Sequence, residues 1–222
     1  MAREPAPVDA GRWRRAVRRV FGRPWPWVAL ALLGFVVPIT ARVAQPPEPP
    51  LPVMGTLPDF ALVDQEGKSY GAGDLRGHVW MAGFIFTRCP TICPAITTTM
   101  AGIQKRARGI EQGFRLVSFS VDPGHDTPPV LADYARKHRV SPRMWKLLTG
   151  ELEAIKTTVT DGLKISMGEP PEGEQDFASI FHGTHFVLVD QQMRIRGYYD
   201  SSAPDVADRV LHDAAMLLNR GD

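Results

Sequence analysis

One stretch decides what this chain can fold into. Residues 79–86 form an unbroken apolar run, and the only two cysteines of the 222-residue sequence, Cys89 and Cys93, follow directly. A run of that kind reads as a buried strand. Pro94 then suits the opening of a helix expected to reach about Gly109, because proline is tolerated where an N–H would be unpaired anyway. A strand that hands cysteines to a helix N-terminus makes reactive thiols, since the positive end of the helix dipole favours thiolate over thiol.

The spacing leaves three chemistries open. Residues four apart on a helical turn share a face, with Cβ atoms roughly 5–6 Å apart. A disulfide wants about 3.5–4.5 Å between Cβ atoms. Two thiolates holding one metal at the zinc–sulfur distance lie roughly 3.7 Å apart. Each is within a modest adjustment, so the pair can act as a dithiol, a disulfide or two thirds of a metal site. Two cysteines cannot build a multi-bridge framework.

The net charge of +2 hides an asymmetry: residues 1–24 hold seven arginines against Glu4 and Asp9, a net of +5, which leaves −3 for the rest. A mildly acidic main domain argues against nucleic acid as a partner, whose footprint would be a basic face. The apolar segment 25–41 has about 17 residues, and Val43 and Ala44 can lengthen it. We read 25–44 as one transmembrane anchor, with 1–24 a basic cytoplasmic N-terminus. A cleaved secretory signal is the competing reading, but it would put Arg42 or Ile39 where a small residue is required. Either way the remainder is exported, to the periplasmic side of a bacterial-type inner membrane. Residues 45–54 form a stiff proline-rich linker, and 55–222 form the main domain.

Within it, residues 57–70 read as a hairpin turning near Glu66-Gly67. Residues 114–121 are a second buried strand. Asp122-Pro-Gly-His-Asp-Thr-Pro-Pro129 ends that strand, with Thr127 placed to cap a helix to about His138. A short apolar run at 145–148 and a helix over 151–162 follow. Residues 167–176, rich in Gly, Pro and Glu, read as a mobile loop. Strand 186–189 and a return strand over 193–199 form a late hairpin, and 204–219 an amphipathic closing helix. Strands alternating with helices indicate an α/β sheet covered on both sides.

The cysteine loop also carries a likeness. Thr87-Arg-Cys-Pro-Thr-Ile-Cys-Pro94 resembles the Cys-Pro-x-x-Cys-Pro signature of the Sco (SenC/PrrC) family, membrane-anchored, thioredoxin-like copper proteins of cytochrome oxidase assembly. Residues 182–190 are similar to that family's His-Ser-x-x-hydrophobic-x-Leu-Val-Asp run, in which the first histidine is the metal ligand. Gly183 replaces the usual serine, and Met193 stands where a turn glycine is common; neither departure removes a ligand. Asp122-Pro-x-x-Asp-Thr-Pro128 resembles the family too. The likeness covers most of 57–199. It implies a thioredoxin-like fold with an extra N-terminal hairpin and insertions, and copper, Cu(I) or Cu(II), held by Cys89, Cys93 and His182. His185, three residues later on the strand, is the poorer candidate. Asp122 would orient a ligand or tune a thiol from just outside the metal, while Asp126 is split between such a role and a helix cap.

The function implied is a copper chaperone that delivers metal to a cytochrome c oxidase subunit, the one carrying the CuA centre. Other copper chaperones and a thioredoxin-like reductant are possible further partners. Soft thiolates select Cu(I), which agrees. The alternative is a thiol–disulfide oxidoreductase acting on cysteines of an oxidase subunit or in redox signalling. Against it, the usual redox motif is CxxC, and no proline precedes the strand after His182. A peroxiredoxin does not fit the Thr-x-Cys spacing at 87–89. An exported binding module with a structural disulfide would leave His182 and the aspartate motif without a purpose.

Overall fold

A computed structural model of the chain describes residues 24–43, 48–165 and 184–220. His182 and the expected loop at 167–176 lie outside the described residues. The chain divides into two units, Met1–Pro50 and Leu51–Asp222.

In the first unit the apolar segment is a helix, α1 (Trp25–Val43), with Trp25, Leu30 and Phe35 exposed. Among the described residues no helix is long and apolar enough to cross a membrane.

The second unit is built on one eight-stranded sheet, assembled from β1 (Gly55–Thr56), β2 (Ala61–Asp64), β3 (Ser69–Gly71), β4 (Val79–Ile85), β5 (Phe114–Ser120), β6 (Trp145–Thr149), β7 (His185–Val189) and β8 (Arg194–Asp200). Its order is β1-β8-β7-β4-β5-β6-β2-β3. The helices are α2 (Ala72–Leu75), α3 (Ile92–Arg106), α4 (Pro128–Lys137), α5 (Leu152–Lys156) and α6 (Val206–Arg220). A 3-10 turn, Ala107–Gly109, follows α3, and a π-helical stretch, Thr157–Gly162, follows α5. The early hairpin turns where expected, with Gly67 at φ +77°, a conformation glycine adopts without a Cβ clash.

Strand β4 is the axis of the sheet. All seven of its residues are buried, as expected where both faces are covered. It pairs in parallel with β5 and antiparallel with β7. Side chains alternate across it. Trp80 and Phe84 point to an aromatic cluster, where Phe119 lies 6.5 and 6.0 Å from them between ring centroids and Phe60 5.8 Å from Phe119. Gly83 points to α3, where a Cβ would stand 2.7 Å from Met100 Sδ; glycine is what lets the helix lie this close. Helix α6 lies against α3, β4 and β8, and α4 against β6. Burying each large apolar side chain of this core contributes about 1.5–3 kcal/mol.

Candidate metal centre

Strand β4 ends at Ile85, and residues 86–91 carry the chain to α3 across the C-terminal edge of the parallel strands, where ligand sites of α/β sheets form. Helix α3 starts at Ile92, two residues before the proline expected to open it. Pro94 therefore stands at the third helical position, where its missing N–H removes no intrahelical bond. The N-cap is Thr91, whose side chain makes no capping bond. A sulfur takes that part: the Cys93 N–H donates to Cys89 Sγ at 3.4 Å.

Both cysteines are buried and unbridged, Cys89 7% and Cys93 3% exposed. Their environments differ. Burial opposes ionisation of Cys89, but the backbone N–H groups of Cys93, Thr91 and Ile92 and the Cys93 thiol outweigh it, holding its pKa below the ordinary thiol value. Burial pushes the Cys93 thiol up to about 12, with Cys89 and Asp126 adding to the rise. The loop thus has one thiol ready to ionise and one protonated.

Both aspartates of the Asp122-Pro-x-x-Asp126 motif hold the loop, by different means. Asp126 has no exposed surface. It accepts the Thr87 N–H at 3.0 Å, the Thr87 hydroxyl, and the Ser120 hydroxyl at 2.6 Å. The helix-capping role considered for it is not what it performs; α4 has Thr127 as N-cap, and that side chain makes no capping bond either. Asp122, 5% exposed, takes Arg88 Nε at 3.0 Å and Nη2 at 2.6 Å on one carboxylate oxygen. It therefore grips the residue beside Cys89. His125 is exposed. Thr87, Arg88 and Ser120 escaped the sequence reading; the nearness of the aspartate motif to the end of β5 was the available signal. Tyr134 escaped it as well. Its hydroxyl meets Thr97 Oγ1 at 2.7 Å, and burial, with the nearby thiols, raises its pKa.

Strand β7 arrives at the same edge from the other half of the chain. It runs antiparallel to β4 with Val187 opposite Ala82, a register that brings His185 level with Phe84. The Thr184 carbonyl accepts the N–H of Ser201, the residue just after β8, at 2.7 Å. His185 is exposed and paired across the ladder with Asp200. Position 182 lies three residues before it. Among the described residues no three His, Cys, Asp or Glu side chains gather in metal-holding geometry. The described part of the centre is two sulfurs.

A mixed sheet with a dithiol between a central strand and its following helix defines a thioredoxin-like dithiol protein. The chain belongs to the SCO1/SenC family, whose model matches residues 53–219. It is 33% identical over 155 residues to the SCO1 protein homolog of Bacillus subtilis, covering 69% of this chain and 78% of that protein. It resembles the solved structure of BsSco, described as a member of the Sco family of cytochrome c oxidase assembly proteins with a disulfide switch. There the TM-score is 0.66 at 30% identity, over 76% of this chain and 97% of that one. Bradyrhizobium japonicum ScoI, solved with copper bound, shares the fold at a TM-score of 0.60 and 21% identity, over 73% and 99% of the two chains.

Proposed function

We propose that this protein is a membrane-anchored copper chaperone that takes up one copper through Cys89, Cys93 and His182 and passes it to a cytochrome c oxidase, at the subunit carrying the CuA centre. The carrying observation is the placement of two buried thiols, Cys89 in the loop before α3 and Cys93 in its first turn, linked by the Cys93 N–H to Cys89 Sγ contact, at the sheet edge that β7 also reaches. Soft sulfur donors select Cu(I), and a Cys2His set serves either oxidation state. Membership of a family that includes an oxidase-assembly protein, and a shared fold with a copper-bound one, support the cargo and the destination.

Copper is cargo here, and each element of the chain has a part in handling it. The N–H groups at the start of α3 favour the Cys89 thiolate, the form that binds metal; Cys93 must release its proton as metal enters. Asp126 and Asp122 fix the loop through Thr87 and Arg88. The arginines of residues 1–24 keep the N-terminus cytoplasmic, α1 and its flanks anchor the chain, and the linker carries the domain on the periplasmic side. A second reading, thiol–disulfide exchange on an oxidase subunit, draws on the unequal thiols: an ionised Cys89 attacks, and Cys93 resolves the mixed disulfide.

Anaerobic copper titration separates the two. One copper per reduced protein should bind, with an intense thiolate-to-Cu(II) band that disappears in Cys89→Ser or Cys93→Ser. His182→Ala should weaken binding substantially. Normal binding by His182→Ala together with loss in His185→Ala would reject the ligand assignment. Reduction of a disulfide substrate to its dithiol, with Cys89 and Cys93 becoming the disulfide, in the absence of copper binding would favour the second reading.

A further inference from the structure

The thiols occupy one end of α3, and the other end opens into a different feature. The last turns of α3, the 3-10 turn, the start of β5 and the loop after α4 line a cleft of about 780 Å³. Its walls carry Lys105, Arg108, Arg115, Arg139 and Arg143 against one carboxylate residue, Glu111. Arg115 is committed to the wall itself, donating to the carbonyls of Glu111 and Phe114. Lys105, Arg108, Arg139 and Arg143 are exposed, and among the described residues none of them is in an ion pair.

Cations in the last turn of a helix complement its dipole, which accounts for Lys105. It does not account for Arg108, Arg139 and Arg143, which lie beyond the ends of α3 and α4. The cleft is also preformed. One side chain clamps its two walls: Gln104 of α3 donates to the Arg139 carbonyl at 3.1 Å and accepts the Ser141 N–H at 2.7 Å. Arg139 is held at φ +56° beside that clamp. Such a concentration of unpaired positive charge stands out on a chain that is net −3 outside its first 24 residues.

We propose that this cleft docks an extended acidic segment of a partner protein, with Arg108, Arg139 and Arg143 taking its carboxylates. Guanidinium groups fit carboxylates as planar forks. The volume is of the size that encloses a short stretch of chain, and its concavity suits a peptide better than the plane of a bilayer. Cys93 and Lys105 are twelve residues apart on α3, about 18 Å along the axis at 1.5 Å per residue. A partner held here leaves the thiols open to exchange. The inference stands on the cleft alone and does not depend on what the thiols bind.

The test uses the full chain in phosphatidylcholine nanodiscs and a fluorescein-labelled hexaglutamate peptide, read by anisotropy, with hexaglutamine as the neutral control. The wild type and an Arg108→Ala/Arg143→Ala variant both keep the arginine-rich N-terminus, so their difference reads the cleft. The variant should bind hexaglutamate about tenfold more weakly, with unchanged thermal unfolding. Arg108→Lys/Arg143→Lys should restore much of the loss, and added salt should abolish the difference. Equal affinity of wild type and alanine variant would overturn the proposal. So would displacement of the peptide by inorganic phosphate at equal charge, which would mark a small-anion site. Displacement by phosphatidylglycerol vesicles would mark a lipid surface instead and overturn it equally.

Discussion

Removing the Asp126 carboxylate should destabilise the domain far more than removing that of Asp122, although the two belong to one motif. Asp126 has no exposed surface and accepts three donors: the Thr87 N–H, the Thr87 hydroxyl and the Ser120 hydroxyl. In Asp126→Ala the two hydroxyls can rotate toward other acceptors, but the backbone N–H cannot. A buried donor left alone costs about 1–3 kcal/mol, and bonds to a charged group count at the upper end. The three together give a loss of about 3 kcal/mol, which for a domain of this size lowers Tm by roughly 6–12 °C. In Asp122→Ala the abandoned group is Arg88, whose side chain is 48% exposed and can be solvated by water. That loss should be about 1 kcal/mol or less. Denaturant unfolding of the reduced, metal-free protein measures both. An Asp126→Ala loss below about 1 kcal/mol, or an Asp122→Ala loss equal to it, would refute the idea that Asp126 anchors the cysteine loop.

Three further outcomes can be measured directly. Cys89 has a lowered pKa, so its thiolate exists at pH values where an ordinary thiol is protonated, and the stability this adds is lost as pH falls through the folded value; iodoacetamide at neutral pH should label Cys89 first, with Cys93 resisting until the pH nears about 12 or the protein unfolds, and preferential labelling of Cys93 would reverse the assignment. Gly83→Ala places a Cβ 2.7 Å from Met100 Sδ, itself the acceptor of the Ser118 hydroxyl at 3.3 Å; overpacking should cost about 1–3 kcal/mol in denaturant melts, and no loss would mean that Met100 swings aside freely. Reporter fusions after residue 50 should be active only as an exported enzyme, and a mature protein beginning near Gln45 would identify residues 25–44 as a cleaved signal.

Much of the fold was legible because its signals are local. The run at 79–86, the Glu66-Gly67 turn and the late hairpin each follow from apolar patterning and turn chemistry within a few residues, and all three are present. What escaped was set across the chain. The start of α3 was misplaced because the rule for proline looks for an open N–H, whereas the helix is capped by a sulfur donated from the preceding loop. Asp126 was split between tuning the metal ligands and capping a helix, and only the folded chain brings Thr87, 39 residues earlier, onto its carboxylate. The helix expected over 151–162 divides at Thr157. Thr158 bonds back to the Ala154 carbonyl at 2.7 Å within a β-branched run, and the backbone widens to π-helical turns. The two cysteines were legible as a close pair from their spacing; the residues that hold their loop were not.

The pairing of β4 with both β5 and β7 has a consequence for the order in which the protein matures. The cysteine loop needs only the β4–α3–β5 unit and the Asp122–Asp126 turn that follows it, whose parts are near neighbours in sequence. Strand β7 joins β4 through pairings such as Trp80 with Val189. Closing a loop of more than a hundred residues carries an entropic cost that must be met before those contacts form, so such pairings come late. A chain folding from its N-terminal side therefore completes its dithiol unit first and its C-terminal hairpin last. Truncation before β7 would leave two sulfurs on an unfinished sheet.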